Sequence, residues 1–144
     1  MNESAMAFAG VVLSPQKEVV RIFFKEMWDK ADKSLIPILF HSDFTFRGSL
    51  GPVLRGHKQF ADYVDMVTSA LGDYTSDILD MVEERNKVYA KLRYHGYHRG
   101  ELLGHQPTGR HVWWYGTPFF TFEGPKVRDL WVLGDVHGLI ERLK

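Results

Sequence analysis

The apolar residues of this chain change their repeat halfway along, and that switch limits the fold more than any other feature. Between Ser14 and Leu71 they recur mainly at helical spacing; from Thr75 to Asp135 they run in extended segments bounded by turn residues. Ser14-Pro15 reads as a helix start, a hydroxyl cap followed by a proline at the first helical position, where its missing N–H goes unused anyway. Val19, Val20, Ile22, Phe23, Phe24, Met27 and Trp28 then form a broad apolar face, and this helix is expected to end near Lys30. A short second helix is expected from Ser34, with Pro37 in its first turn. Phe44-Thr45-Phe46 reads as a strand, Gly48 to Pro52 as a loop, and Lys58 to Leu71 as a third helix stopped by Gly72.

The second half is read as strands at Thr75–Glu83, Lys87–His98, His111–Phe122 and Val127–Asp135. Pro118 lacks an N–H, so it marks its strand as a sheet edge or a bulge. The segment Leu102 to Arg110 carries Gly104, Pro107 and Gly109 and is expected to bend. Helices first and antiparallel strands afterwards is the α+β pattern.

At 144 residues the chain is the size of one domain, here an N-terminal extension over 1–13 and a domain over 14–144. Eighteen basic and eighteen acidic residues cancel, so the basic stripe of a nucleic-acid binder and the polybasic run of a membrane-surface protein are both missing. With no cysteine, disulfides, thiolate nucleophiles and cysteine-ligated metals are out of reach. Ala5 to Leu13 is mildly apolar without a basic start, which does not match a secretory signal, and no stretch is long enough to span a membrane. A cytoplasmic location is the expectation. Aromatic residues make up 14% of the chain, enough to line a pocket for a flat ligand as well as to fill a core.

On a strand, alternate residues share a face, so Asp129, Trp131, Leu133 and Asp135 point one way. A carboxylate at the wall of an apolar cavity would have its pKa raised by desolvation and would serve as a general acid or base. The other reading of Asp135 is a cap for a short helix starting near Gly138. His95 and His98 lie three apart and so face opposite ways on a strand, which argues against a shared metal. His98 shares its face with Leu92 and Tyr94 and could project into a pocket; the other reading is a histidine bonded to a carbonyl or water. No GxSxG elbow, dinucleotide loop, phosphate loop or HExxH pattern occurs. Acid–base chemistry without a cofactor remains, or binding without chemistry.

Two segments carry a family resemblance. Gly96-Tyr97-His98-Arg99-Gly100 followed by Pro107-Thr108-Gly109-Arg110 resembles the Gly-x-His-x-Gly and Pro-Thr-Gly segments of the SnoaL-like polyketide cyclases. Trp131 and Asp135, four apart and followed by Gly138-Leu139 and Leu143, resemble the family's closing strand and terminal helix. The likeness extends over about residues 14–143. Tyr97 stands where threonine is usual, Gly124-Pro125-Lys126 replaces Asp-Gly-Lys, and His137 is an added ionisable group.

The resemblance implies a nuclear transport factor 2-like fold: a cone-shaped barrel of curved antiparallel sheet packed against three N-terminal helices, enclosing a deep apolar pocket. It implies ring closure by intramolecular aldol condensation on a small apolar or aromatic carbonyl compound, without cofactor or metal, in a protein that forms a homodimer. Asp135 takes the family's acid/base position and His98 its pocket histidine. Trp131, Tyr97, Trp114, Phe46, Trp28 and Tyr63 are the candidate pocket residues. The alternatives are a ligand-binding or association module on the same fold, and an epoxide hydrolase or dehydratase.

Overall fold

The computed structural model describes residues 11–144; residues 1–10, with most of the expected N-terminal extension, lie outside the described residues. The first helix, α1, spans Pro15–Ile22 and continues as a π-helical turn over Phe23–Trp28. Ser14 caps it: its Oγ accepts from the Lys17 N–H at 3.2 Å and donates to Glu83 at 2.9 Å, tying the helix start to a distant strand. The wider π turn was not expected from the sequence, and it buries Phe23, Phe24, Met27 and Trp28 together. A 3₁₀ turn at Lys33–Leu35 leads into α2 (Ile36–Leu39), with Pro37 in its first turn.

Strands β1 (Phe40–Arg47) and β2 (Val53–Arg55) follow, then α3 (Gly56–Ala70). The remaining strands are β3 (Leu71–Glu84), β4 (Lys87–His98), β5 (His111–Glu123) and β6 (Lys126–Gly134), and α4 (Val136–Leu143) closes the chain. Gly72 does not stop α3. The helix runs directly into β3, Gly72 pairs with Tyr97 inside the sheet, and the left-handed residue is Asp73 at φ 51°.

The sheet order is β2-β1-β6-β5-β4-β3. Four of the five strand pairings are antiparallel as expected, but β1 and β6 run parallel. After β1 and β2 the chain crosses through α3 to the far edge, and the meander back brings β6 alongside β1 in the same direction. The result is the expected curved sheet packed against helices, but open, with β2 and β3 as edges, and mixed through the β1–β6 pair where an all-antiparallel sheet was expected. Register shifts in β1–β6, β3–β4 and β5–β6 mark the bulges that bend it.

Alternation along each strand sends one row to the concave face and the other to solvent. On β5, Val112, Trp114, Gly116, Pro118 and Phe120 are buried while His111 and Trp113 are exposed. Helices α1 and α3 cover the concave face. Phe60 of α3 sits among the rings, 4.9 Å from Phe46 and 5.5 Å from Phe40 between centroids, and each such pair adds about 0.5–1.5 kcal/mol beyond simple burial.

Pro118 lies in a strand paired on both sides, not at an edge or a bulge. The hydroxyl of Thr117 donates to the Ala90 carbonyl at 2.9 Å, a donor on β5 beside the position whose own N–H is missing.

Candidate functional site

The concave face encloses a small cavity of about 30 Å³ whose wall includes Trp28, Phe46, Tyr63, Tyr74, Tyr94 and Trp114. Each arrives by a different route: Trp28 from the π turn, Phe46 from β1, Tyr63 from α3, and the others from the inward rows of β3, β4 and β5. Its polar end is Ser49, in the loop after β1, whose hydroxyl accepts from the Trp114 indole N–H at 3.2 Å. Burial pushes the phenols of Tyr63, Tyr74 and Tyr94 above their ordinary range. They therefore stay protonated at any physiological pH, available as O–H donors.

Four of the six residues expected to line a pocket meet here: Trp28, Phe46, Tyr63 and Trp114. The other two do not. Trp131 and Tyr97 are each 40% exposed on the convex face, because the inward positions of their strands are taken by Leu130 and Val132 on β6 and by Tyr94 and His98 on β4. Tyr94 was grouped with His98 on one strand face in the sequence. Tyr74 was not legible, since the register shift between Gly72 and Thr75 breaks the alternation that would have placed it.

Asp135 follows Gly134, the last residue of β6. Its Oδ1 accepts from the Gly138 N–H at 3.0 Å and so caps α4, while its own N–H donates to the Tyr115 carbonyl at 2.8 Å. The side chain is exposed. Asp129, Trp131, Leu133 and Asp135 do share a face, as parity required, but it is the convex one. Gly134 points inward, and a Cβ there would stand 2.6 Å from the Ser49 side chain. The backbone at Asp135 thus adjoins the polar end of the cavity while its carboxylate faces away.

His98 is fully buried at the end of β4. Its Nδ1 lies 3.1 Å from the Thr108 hydroxyl and accepts from the Thr108 N–H at 3.3 Å. Its Nε2 lies 3.2 Å from the His105 carbonyl, to which it donates, so the proton is on Nε2. The Gly-x-His-x-Gly segment has a packing reason. Cβ atoms at Gly96 and Gly100 would come within 3.0 Å of Leu71 and Ser69, at the junction where α3 becomes β3. The N–H groups of Arg99 and Gly100 both donate to the Ala70 carbonyl there. The histidine then pins the 102–110 loop, Pro-Thr-Gly included, against the end of the sheet.

The structure does not bring Asp135 and His98 into one cavity. His98 pairs with Arg110, just before β5, whereas Asp135 bonds to Tyr115. Five residues of extended chain separate those points, about 17 Å. His95 faces outward and His98 inward, and among the described residues no group of three or more His, Asp or Glu could hold a metal ion. Among the same residues no helix is long and apolar enough to cross a membrane.

A family model described as SnoaL-like polyketide cyclase matches residues 18–143. No curated protein matches the sequence significantly. Among solved structures, a protein of Jannaschia sp. CCS1 provisionally named a SnoaL-like polyketide cyclase superposes with a TM-score of 0.82 at 18% identity, over 90% of this chain and 91% of that one. TsrD from Streptomyces laurentii gives 0.81 at 20% identity, over 92% and 98%. AclR from Streptomyces galilaeus, provisionally named a hydroxylase, gives 0.77 at 22% identity, over 89% and 80%. At such identities the structural likeness speaks for the fold, whereas the family model spans nearly the whole domain. This chain belongs to the SnoaL-like polyketide cyclase family.

Proposed function

We propose that the protein is a cyclase-type enzyme that closes a ring in a small apolar or aromatic carbonyl compound by intramolecular aldol condensation, using acid–base groups of its own. The observation that carries this reading is the aromatic cavity on the concave face, whose polar groups include neutral hydroxyls. Such a cavity favours a folded, flat, weakly polar chain and holds its reacting carbons near one another. The phenols of Tyr63, Tyr74 and Tyr94 would donate to the carbonyl oxygen that gains charge as the carbon–carbon bond forms. At about 30 Å³ the cavity has room for roughly one water, so a substrate must part the surrounding rings to enter.

Asp135 is the acid/base group in this reading. To act inside, its carboxylate must release the Gly138 N–H and turn past Gly134 towards Ser49. His98, with both ring nitrogens engaged, contributes by holding the 102–110 loop rather than by touching the substrate. Association into a homodimer is part of the proposal: Tyr89, Trp131 and Leu133 leave an apolar patch on the convex face, each at least 40% exposed. Sedimentation of the intact protein checks it.

The Asp135→Asn variant separates the two roles of this residue. Asparagine caps a helix as well as aspartate does, so unfolding free energy should change by about 0.5 kcal/mol or less. Ring closure of a polyketide-type poly-carbonyl substrate should fall by about a hundred-fold or more, the usual share of a general base. Unchanged turnover would remove Asp135 from the chemistry.

A second reading is favoured by one observation: no carboxylate and no imidazole lines the cavity. The protein would then hold a flat apolar ligand without transforming it, and the same assay would return its substrate intact with wild-type protein.

A further inference from the structure

The convex face carries a larger concavity, with titratable groups that the proposed ring closure does not use. Strand parity places Asp77 of β3, His95 of β4 and His111 of β5 on that face, and the registers Asp77↔Arg93 and Tyr97↔His111 set them on three adjacent strands. His95 Nε2 lies 3.1 Å from an Asp77 carboxylate oxygen, and His95 Nδ1 shares a hydrogen bond with His111 Nε2 at 3.0 Å. The row borders a groove of about 640 Å³ that Trp113 and Arg142 also line. Arg142, from α4, spreads its guanidinium 4.3 Å above the Trp113 ring and is fixed there by a 3.0 Å bond to the Trp113 carbonyl.

The contacts dictate where the protons sit. A lone pair on His95 Nε2 facing a carboxylate oxygen at 3.1 Å would be repelled, so Nε2 carries hydrogen. Nδ1 of neutral His95 is then an acceptor, and His111 Nε2 is the donor. His111 Nδ1 is left with its lone pair. We propose that Asp77, His95 and His111 form a proton relay on the convex face, with His111 Nδ1 as general base for a flat aromatic carbon acid stacked against Trp113.

The step balances within the row. His111 Nδ1 takes a proton from the substrate carbon while Nε2 passes its own proton to His95 Nδ1. The positive charge comes to rest on His95, against Asp77, and the electron pair left on the substrate is stabilised beside Arg142. Burial, and after it the neighbouring His95, holds the His111 imidazolium below its ordinary range, so the base form is present at neutral pH. The charged and titratable groups around the row are Asp77 on β3, Arg93 and Tyr97 on β4, Tyr115 on β5 and Arg142 on α4; the Tyr97 ring lies 5.2 Å from that of His111, and Arg93 pairs with Asp77 at 2.9 Å. Asp77 thus braces both neighbours on β4 and is a positioning residue; His111 is the catalytic one.

The probe is 5-nitrobenzisoxazole, a flat carbon acid. A base removes its ring C–H proton, that electron pair becomes part of a nitrile, and the N–O bond breaks to leave a coloured cyanonitrophenolate. Wild type and His137→Gln, which alters an exposed histidine outside the groove, should turn it over at equal rates, both well above free imidazole at the same concentration. His111→Ala should lose about ten-fold or more. Asp77→Asn should slow the reaction and move the pH of half-maximal rate downwards, because a negative charge that favours the imidazolium is gone. ¹⁵N ring shifts in the unaltered protein read the tautomers without any variant, and should show hydrogen on Nε2 of both His95 and His111. Wild-type turnover no better than imidazole, an unaffected His111→Ala, or hydrogen on His111 Nδ1 overturns the relay. None of these readouts depends on Asp135, so failure here leaves the ring-closure reading standing, and the converse holds.

Discussion

His98 and Asp135 each stand in a family segment, and for each a structural job competes with a chemical one. His98 has no exposed surface and satisfies Thr108 and His105 with its two nitrogens. Replacing it with alanine strands the Thr108 N–H, leaves the His105 carbonyl with only the Leu102 N–H as donor, and opens a hole, at a combined cost of about 2–4 kcal/mol. We expect His98→Ala to lower the unfolding free energy in denaturant by that amount and to speed hydrogen exchange at Gly109, whose N–H donates to the His98 carbonyl. An activity loss without loss of stability would instead place His98 at the substrate. The spacing of Gly96, His98 and Gly100 was legible in the sequence, but its meaning was not. What those glycines permit is an approach to residues 69–71, about thirty positions earlier in the chain, and strand parity says nothing about such contacts. Asp135 was read as either a pocket wall or a cap; in the structure it is the cap, and the acid/base role is a proposal that requires the cap to open.

The elements themselves were largely readable. Ser14-Pro15 starts α1, the hairpin joins β3 to β4 near residues 84–87, and β5 and β6 fall where alternation put them. The misreadings share a cause: each turned on a neighbour that sequence does not reveal. Gly72 looked like a helix stop, yet β4 captures it as a strand partner. Pro118 looked like an edge, yet β4 and β6 flank it. Its missing donor has a local remedy that can be measured. Thr117→Val removes the bond to the Ala90 carbonyl and should cost about 1–2 kcal/mol in unfolding free energy. In a Pro118→Ala background an N–H is restored next door, and the same change should cost less. Equal costs in both backgrounds would show that Thr117 and Pro118 act independently.

At the scale of the whole molecule, the bent sheet divides the aromatic residues into two populations. The concave side holds Trp28 and Trp114 in the cavity wall; the convex side carries Trp113 beside the histidine row and Trp131 on the apolar patch. An α+β fold of this family was legible because helical and alternating segments are long and sequentially segregated. The openness of the sheet and the parallel β1–β6 pair were not, since both follow from how the chain returns after crossing through α3. That return is also what puts Ser49, Gly134 and Trp114 together at the polar end of the cavity.

The four tryptophans make the central claim, that the concave cavity receives the substrate, directly measurable. Each indole N–H gives its own signal in a ¹H–¹⁵N spectrum. Titration with a flat, apolar aromatic ketone should shift the Trp28 and Trp114 signals and leave Trp131 in place. Shifts confined to Trp113 or Trp131, with Trp28 and Trp114 unmoved at saturation, would contradict the account.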